Sequence, residues 1–313
     1  MKGGVICSGN IVFDILVRPV DELQWGGTTF VEAIEWHAGG NGCNTSRALS
    51  ILGVPVRLLG AVGKDEPARF LLQRLEQAGV DISRIERVDA PTASTVVLVR
   101  SNGERKFFHR QGASKLAFAN LITFTPELCA GAAHYHMGSL VVLPRLRPHG
   151  ATVLAAARAA GLSTSFDTNW DPEGAWMRSL EPCLPHLDYL FMNEEEAQMM
   201  TGQQSAREAA RVVLSKGLRT AVMKLGGRGC AIYTDGCEIL CPAFAVEVRD
   251  TTGAGDCFAA GFIAAMLKGA SLAEAGRFAN AVAAMSVQNM GAVSGVVSYA
   301  DTEAWMKTAR VRT

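Results

Sequence analysis

The chain has 313 residues, 49% of them apolar, with 30 basic and 30 acidic residues and no formal net charge. That balance excludes the basic footprint of a nucleic-acid binder and the charged tail of a polyanion partner. No run of 18 apolar residues occurs, which excludes an ordinary helical membrane span.

In chain order, Val5 to Cys7 predicts a first buried strand, too short for the apolar region of a secretory signal. Asn10 and Asp14 follow it. An amide and a carboxylate there can bond vicinal hydroxyls of a sugar, or close an Asx turn. Thr28 to His37 alternates apolar and polar residues like an exposed antiparallel strand. Gly39 and Gly40 then allow close approach of a ligand, with Asn41 as polar reader. Asn44 caps or begins a helix to Leu52 that Gly53 and Pro55 end.

Val56 to Val62 predicts a strand and Ala68 to Ala78 a helix. Ser94 to Phe108 is a second alternating stretch, carrying the hairpin signal Asn102-Gly103. The two alternating stretches predict a small accessory sheet, inserted at about 14–38 and 93–110. His134 to Met137, Ser163 to Phe166, Tyr189 to Met192 and Thr220 to Lys224 read as short buried strands. His134 and His136 share a face of theirs, but no third ligand lies near in sequence, so a core or strand-end role is expected. Leu146 to Ala160, Glu194 to Thr201 and Ser205 to Lys216 read as helices, as do Ala-rich Gly255 to Leu267 and Leu272 to Asn289. Phe244 to Val248 is strand-like. Such alternation predicts an α/β fold, with right-handed crossovers and helices on both faces of a mostly parallel sheet. One domain over 1–313 is expected. The eight cysteines form no C-x-x-C pair and sit mostly in apolar runs, which predicts reduced core thiols and a cytoplasmic location.

The chemistry concentrates in Asp250-Thr251-Thr252-Gly253-Ala254-Gly255-Asp256-Cys257-Phe258. Small residues just ahead of a helix let backbone N–H groups meet a phosphate, and the helix dipole favours its charge. Asp256, in the first turn, would repel that phosphate. Its presence makes sense if it takes the proton from an attacking hydroxyl. The plain alternative is a glycine turn with a helix-capping acid. A dinucleotide fingerprint fails because Phe258 stands where the third glycine belongs, and no G-x-x-x-x-G-K-[ST] occurs. Asn193 and Glu196 share a face at a helix start, the pattern of a capped acidic N-terminus. Lys224, Gly226 and Gly229 make a turn after a strand, and Asn280 is an amide within an Ala-rich helix that needs a partner.

The nine-residue string resembles the C-terminal signature of the ribokinase-like, or PfkB, carbohydrate kinases. Ala38 to Asn44 resembles that family's N-terminal glycine signature, Asn193 to Glu196 its N-x-x-E motif, and Lys224 to Gly229 its nucleotide loop. The four motifs stand in the family's order. The resemblance implies a three-layer sandwich with a small β-sheet lid and phosphorylation of a sugar hydroxyl by ATP. It implies Asp256 as base on a cradle of Gly253, Ala254 and Gly255. Substrate contacts fall to Asn10, Asp14, Gly39, Gly40, Asn41, Asn44 and Asp256. ATP contacts fall to Asn193, Lys224, Gly226, Gly229, Thr251, Gly253, Gly255 and Asn280, and water-mediated Mg²⁺ contacts to Asn193 and Glu196. In some members a K⁺ loop aligns with Asp250, Thr252, Ser286, Asn289, Gly291 and Gly295. A homodimer joined through the lid is implied as well.

For the substrate, Asp167-Thr168-Asn169-Trp170-Asp171 resembles the D-x-N-x-R segment of ketodeoxygluconate and fructose kinases, with Asp171 in place of the arginine. An acid there would repel a substrate carboxylate. Arg110, in Phe108-His109-Arg110, is the candidate replacement cation. A neutral sugar such as ribose or fructose is preferred. A nucleoside is the next alternative, with Trp36 and Phe108 as stacking aromatics.

Overall fold

The continuous apolar runs become interior strands. The computed structural model describes residues 3–312; Met1, Lys2 and Thr313, at the ends of the expected domain, lie outside it. Its strands are β1 (Gly4–Ser8), β2 (Val12–Arg18), β3 (Ala33–Gly39), β4 (Val56–Val62), β5 (Ile85–Arg87), β6 (Ser94–Val99), β7 (Arg105–Arg110), β8 (Ala132–Met137), β9 (Ser163–Asp167), β10 (Tyr189–Asn193), β11 (Thr220–Lys224), β12 (Cys230–Thr234) and β13 (Cys237–Cys241). The helices are α1 (Asn41–Ile51), α2 (Glu66–Gln77), α3 (Pro126–Cys129), α4 (Gly150–Ala159), α5 (Met177–Leu180), α6 (Glu194–Thr201), α7 (Ala206–Ser215), α8 (Ala254–Leu267), α9 (Leu272–Ser286) and α10 (Tyr299–Met306).

The large sheet runs β13-β12-β11-β10-β9-β8-β1-β4-β5. It is parallel from β11 to β5, and β12 and β13 close one edge as an antiparallel hairpin. Strands buried on both faces have no polar side to alternate with, which is why they read as unbroken apolar runs. One apolar core joins the sheet to α1, α2, α8 and α9, and the other joins it to α4, α6 and α7. The parallel strands end together at Ser8, Asp167, Asn193 and Lys224, and the crevice beyond such carboxyl ends is where open α/β sheets bind ligands.

The second sheet, ordered β3-β2-β6-β7, is the expected lid. Its register puts Asp14, Leu16, His37, Thr95, Val97, Phe107 and His109 on one inner face, which lines a cavity against the large sheet. Ile15, Trp36, Val96 and Phe108 form an adjacent row on the outer face, where Trp36 packs edge-on against Phe13 and Phe70.

Several expectations need correction. Lid strand β3 starts at Ala33, not Thr28. Asp14 sits within strand β2 rather than in a turn. Helix α1 starts at Asn41, so Asn44 lies inside its first turn and does not cap it. Helix α2 starts at Glu66, because Asp65 caps it and Pro67 fits its first turn. Phe244 to Val248 makes only a single bridge, Phe244 with Val311. His134 and His136 are buried against Ser163 and Ser165 across β8 and β9, and burial pushes their pKa values down to about 4 and about 3. They therefore serve as neutral hydrogen-bonding residues of the sheet interior.

Candidate active site

Two helix starts meet at Asp256. Gly253 is the N-cap of α8 at φ +70°, a conformation that costs a side-chain-bearing residue, and a Cβ there would stand 2.5 Å from that of Ala292. No side chain among the described residues caps α8; the Ala254 N–H donates to the Thr251 carbonyl at 3.2 Å, while the Gly253 and Gly255 N–H groups have no backbone partner among those residues and are open to an incoming anion. Asp256, one turn in and 6% exposed, points at the start of α1. Its two carboxylate oxygens accept from Asn41 Nδ2 and Asn44 Nδ2, each at 2.9 Å. Burial raises its pKa to about 6, while the two amides and the Lys224 charge pull it down. A carboxylate titrating there is ionised at neutral pH yet basic enough to accept a hydroxyl proton.

On one side of Asp256 lies the cavity under the lid, about 220 Å³, lined among others by Asn10, Asp14, His37, Arg105, Phe107 and His109. Asn10 Oδ1 accepts from the Asn41 N–H at 2.9 Å and the Ser139 hydroxyl at 2.8 Å, tying the end of β1 to α1. The Asp14 carboxylate lies over the backbone of Gly39, where a Cβ would sit 1.9 Å from Oδ2. A side chain at residue 39 would displace the Asp14 carboxylate. Burial lifts Asp14 to about 6 against the Thr95 hydroxyl, leaving a half-buried acceptor facing the cavity.

On the other side lies a groove of about 340 Å³ lined by Asn193, Lys224, Gly226, Gly229, Thr251, Gly255 and Asn280. Between the two, a third space of about 310 Å³ is lined by Asn41, Asp167, Glu196, Lys224, Gly253 and Asp256. The Lys224 ammonium bridges these spaces. It meets Asp167 Oδ1 at 2.5 Å and stands beside Gly255, 3.1 Å from where a Cβ would be. Burial raises Asp167 to about 7. Burial works against the Lys224 charge too, but Asp167 and Glu196 outweigh it and raise its pKa.

Three buried carboxylates, Asp167, Glu196 and Asp256, thus face one ammonium. That excess suits a divalent cation brought with a polyphosphate, and the uncapped α8 suits the polyphosphate itself. No three or more His, Cys, Asp or Glu residues among those described are grouped to cage a metal, so a sparse, water-rich site is the form that fits.

Several expected residues have local partners of their own, and some lie away from the cavity. Asn193 and Glu196 form a reciprocal capping box at 2.8 and 3.0 Å, and Thr168 adds a bond to Glu196 Oε2 at 2.6 Å. Asn280 lines the groove, but its Nδ2 donates to the Cys241 and Pro242 carbonyls, so it fixes the groove wall. Asn41 and Asn44 hold the Asp256 carboxylate and do not line the cavity under the lid. Arg110 is exposed and donates to the Thr92 carbonyl at 3.3 Å; it does not line the cavity. Asp171 is also away from it, buried against Arg147 at 3.1 Å and accepting from Trp176 N–H. Trp36 and Phe108 face outward, and Phe107 is the inward aromatic.

The loop with the K⁺ resemblance is drawn together by Asp250. Its Oδ2 accepts from Gly291 N–H and its Oδ1 from Thr252 N–H, both at 2.9 Å. Ser286 donates to its own helix at Ala283, and Gly295 packs against Asn289. The cation present beside Asp250 is Arg105, a lid residue that sequence reasoning missed. Its signal was its place just past the Asn102-Gly103 hairpin turn, where the second arm of that stretch begins.

The profile of the pfkB family carbohydrate kinases matches residues 5–298. An ATP-dependent ribose-1-phosphate kinase of Halopiger xanaduensis is 30% identical over 293 residues, 93% of this chain and 94% of that protein. A ribokinase of Haemophilus influenzae is 29% identical over 277 residues, 87% of this chain and 88% of that one. Among solved structures, Arabidopsis thaliana ribokinase complexed with ribose and ATP superposes with a TM-score of 0.86 at 25% identity, over 98% of this chain and 99% of that one.

Proposed function

The chain belongs to the pfkB family of carbohydrate kinases, and from that membership we propose that it transfers the terminal phosphoryl group of ATP to a hydroxyl of a small uncharged sugar. The observation that carries this reading is Asp256, held by two amides between a lidded cavity and an uncapped helix start. In the reaction, Asp256 accepts the hydroxyl proton as the sugar oxygen bonds to the terminal phosphorus and the bond from that phosphorus to the ADP oxygen breaks. The N–H groups of Gly253 and Gly255 meet the charge on the transferring group, joined by that of Ala254 once it leaves the Thr251 carbonyl, and Lys224, steadied by Asp167, adds a cation beside Gly255. Mg²⁺ bound with ATP would neutralise charge on its phosphates; Asn193 and Glu196 would hold it through water. Thr251, Gly226 and Gly229 line the groove in which ATP would lie.

The uncharged sugar is favoured by where the cations of the cavity are spent. Arg105 is paired with Asp250 at 2.8 Å and His37 with Glu35 at 3.1 Å, while burial keeps His109 toward its neutral form. A phosphate or carboxylate on the substrate would find no unpaired cation there among the described residues. Asp14 supplies an acceptor for sugar hydroxyls, and about 220 Å³ is small for a ligand site, in keeping with a single sugar ring. Phe107, on the inner face, supports a nucleoside as the second reading. The loop of Asp250, Thr252, Ser286, Asn289, Gly291 and Gly295 would take K⁺ only if Arg105 swung away from Asp250.

We further propose a homodimer through the outer lid face, where Ile34, Trp36 and Phe108 are each more than half exposed. All eight cysteines are free, seven of them at least partly buried, in keeping with the reducing cytoplasm. No helix among the described residues is long and apolar enough to cross a membrane.

A coupled ADP-release assay tests the substrate assignment over D-ribose, D-fructose, ribose 1-phosphate, ketodeoxygluconate and adenosine. The highest kcat/KM should fall on an uncharged sugar. Fastest turnover of the phosphate or the acid would contradict the charge argument, and tight binding without ADP release would point to a non-catalytic sensor.

A further inference from the structure

Arg105 opens β7, paired across the lid with Val99, and its side chain leaves the inner face together with Phe107 and His109. Its guanidinium crosses out of the lid. One nitrogen donates to Asp250 Oδ1 at 2.8 Å and another to the Thr252 hydroxyl. The Asp250 side chain is 6% exposed and that of Arg105 22%, so the pair is shielded from water and its attraction is little screened. Burial alone would raise the pKa of Asp250. The Gly291 and Thr252 N–H groups and Arg105 overcome it and hold the carboxyl near 2.

Asp250 is therefore a junction. It fixes the turn through Thr252, the 291 loop through Gly291, and the lid through Arg105. Gly253, the N-cap that aims the first N–H groups of α8, follows directly after Thr252 and packs on Ala292, next to Gly291. A displacement of Thr252 passes through one peptide bond to Gly253, and one of Asp250 through three. The lid carries no other ion pair to this loop among the described residues.

We propose that Arg105 is a positioning residue that couples the lid to the anion cradle. When the lid seats over a sugar, the guanidinium docks on Asp250 and Thr252 and sets Gly253 to Gly255 for the transferring phosphoryl group. With the lid away, Asp250 loses its cation and the turn its outer clamp. The cradle is thus assembled only with an acceptor in place, which disfavours transfer to water. The planar fork is needed because two acceptors on different residues must be met at once, which a lysine ammonium does less well. This proposal rests on the kinase reading above and adds the link between its two half-sites.

The test combines hydrogen exchange and kinetics on the wild type, Arg105→Ala, Arg105→Lys, Asp250→Asn and the Arg105→Ala/Asp250→Asn double variant. The probe is D-ribose or D-fructose, whichever the wild type turns over. Without nucleotide, the sugar should slow exchange in wild-type residues 12–18 and 94–99 and also in 252–256. In Arg105→Ala it should slow the lid strands alone. Turnover number should fall about 10²-fold in Arg105→Ala with KM for ATP little changed, and less in Arg105→Lys. The double variant should be no slower than the slower single variant, since both residues act as one unit. Arg105→Gln replaces the alanine variant if that protein is insoluble. Equal protection of 252–256 in Arg105→Ala and wild type, or losses that multiply, would overturn the coupling while leaving the kinase reading intact. Wild-type enzyme with no turnover of any sugar or nucleoside would overturn the kinase reading, and this proposal with it.

Discussion

Asp256 gains its character from its neighbours. A carboxylate at a helix start is ordinarily acidic and well solvated. This one is buried, and burial sets its pKa near 6 while Asn44 and Asn41 keep it from rising further. The base must be ionised to work, so kcat/KM should rise through an acid limb near pH 6 and then level off. Asn44→Ala removes a bond to the charged form. Its acid limb should move upward by about one pH unit, a shift that a pH–rate profile on the two enzymes would read. An unmoved limb would mean that the limb belongs to another group. At this scale the sequence told much about backbone and little about side chains. Gly253, Asp256 and the first-turn position of Glu196 follow from local pattern. That Asn41 and Asn44 reach Asp256, or that Arg105 and not Arg110 turns into the cavity, depends on contacts across more than a hundred residues, which local pattern does not encode.

The elements divide the labour between positioning and enclosure. In the proposed reaction, helix α8 and the ends of β9, β10 and β11 would carry the phosphate side of the site, and β2, β3 and β7 the sugar side. Within the lid, Asp14 of β2 packs tightly on Gly39 of β3. Gly39→Ala would place a methyl group 1.9 Å from Asp14 Oδ2 and force the carboxylate away. The expected outcome is a KM for sugar raised by about tenfold or more, with KM for ATP unchanged, measured by initial rates. An equal rise in both would show that the damage is global. The parallel strands were legible because burial on both faces leaves an unbroken apolar run. The β12–β13 hairpin was overlooked although Asp235-Gly236, a strong two-residue turn signal, joins its strands. Strand β2 escaped notice because Asp14, a poor strand former, sits inside it for the sake of the cavity.

At the scale of the whole molecule, a large sheet supplies fixed points and a small sheet supplies a cover with two faces of opposite use. The inner face is committed to the cavity. The outer face exposes Ile34, Trp36 and Phe108, and an apolar row on a sheet is a liability unless it is covered. Light scattering on the purified chain should therefore give twice the chain mass, and Phe108→Asp should shift it toward the single-chain mass. A monomeric wild type would leave the outer face without the partner assigned to it. The fold class was legible from alternation alone, but which two half-sites face each other across Asp256 became visible only once β1, β9, β10 and β11 were aligned at their carboxyl ends.

Asp256 is proposed to take the proton from a sugar hydroxyl at the cradle of Gly253 to Gly255. Sugar-dependent ADP release by Asp256→Asn, measured beside ATP binding by calorimetry, tests it most directly. The predicted result is a kcat lower by about 10²–10⁴ with ATP affinity retained; turnover close to the wild type would contradict it.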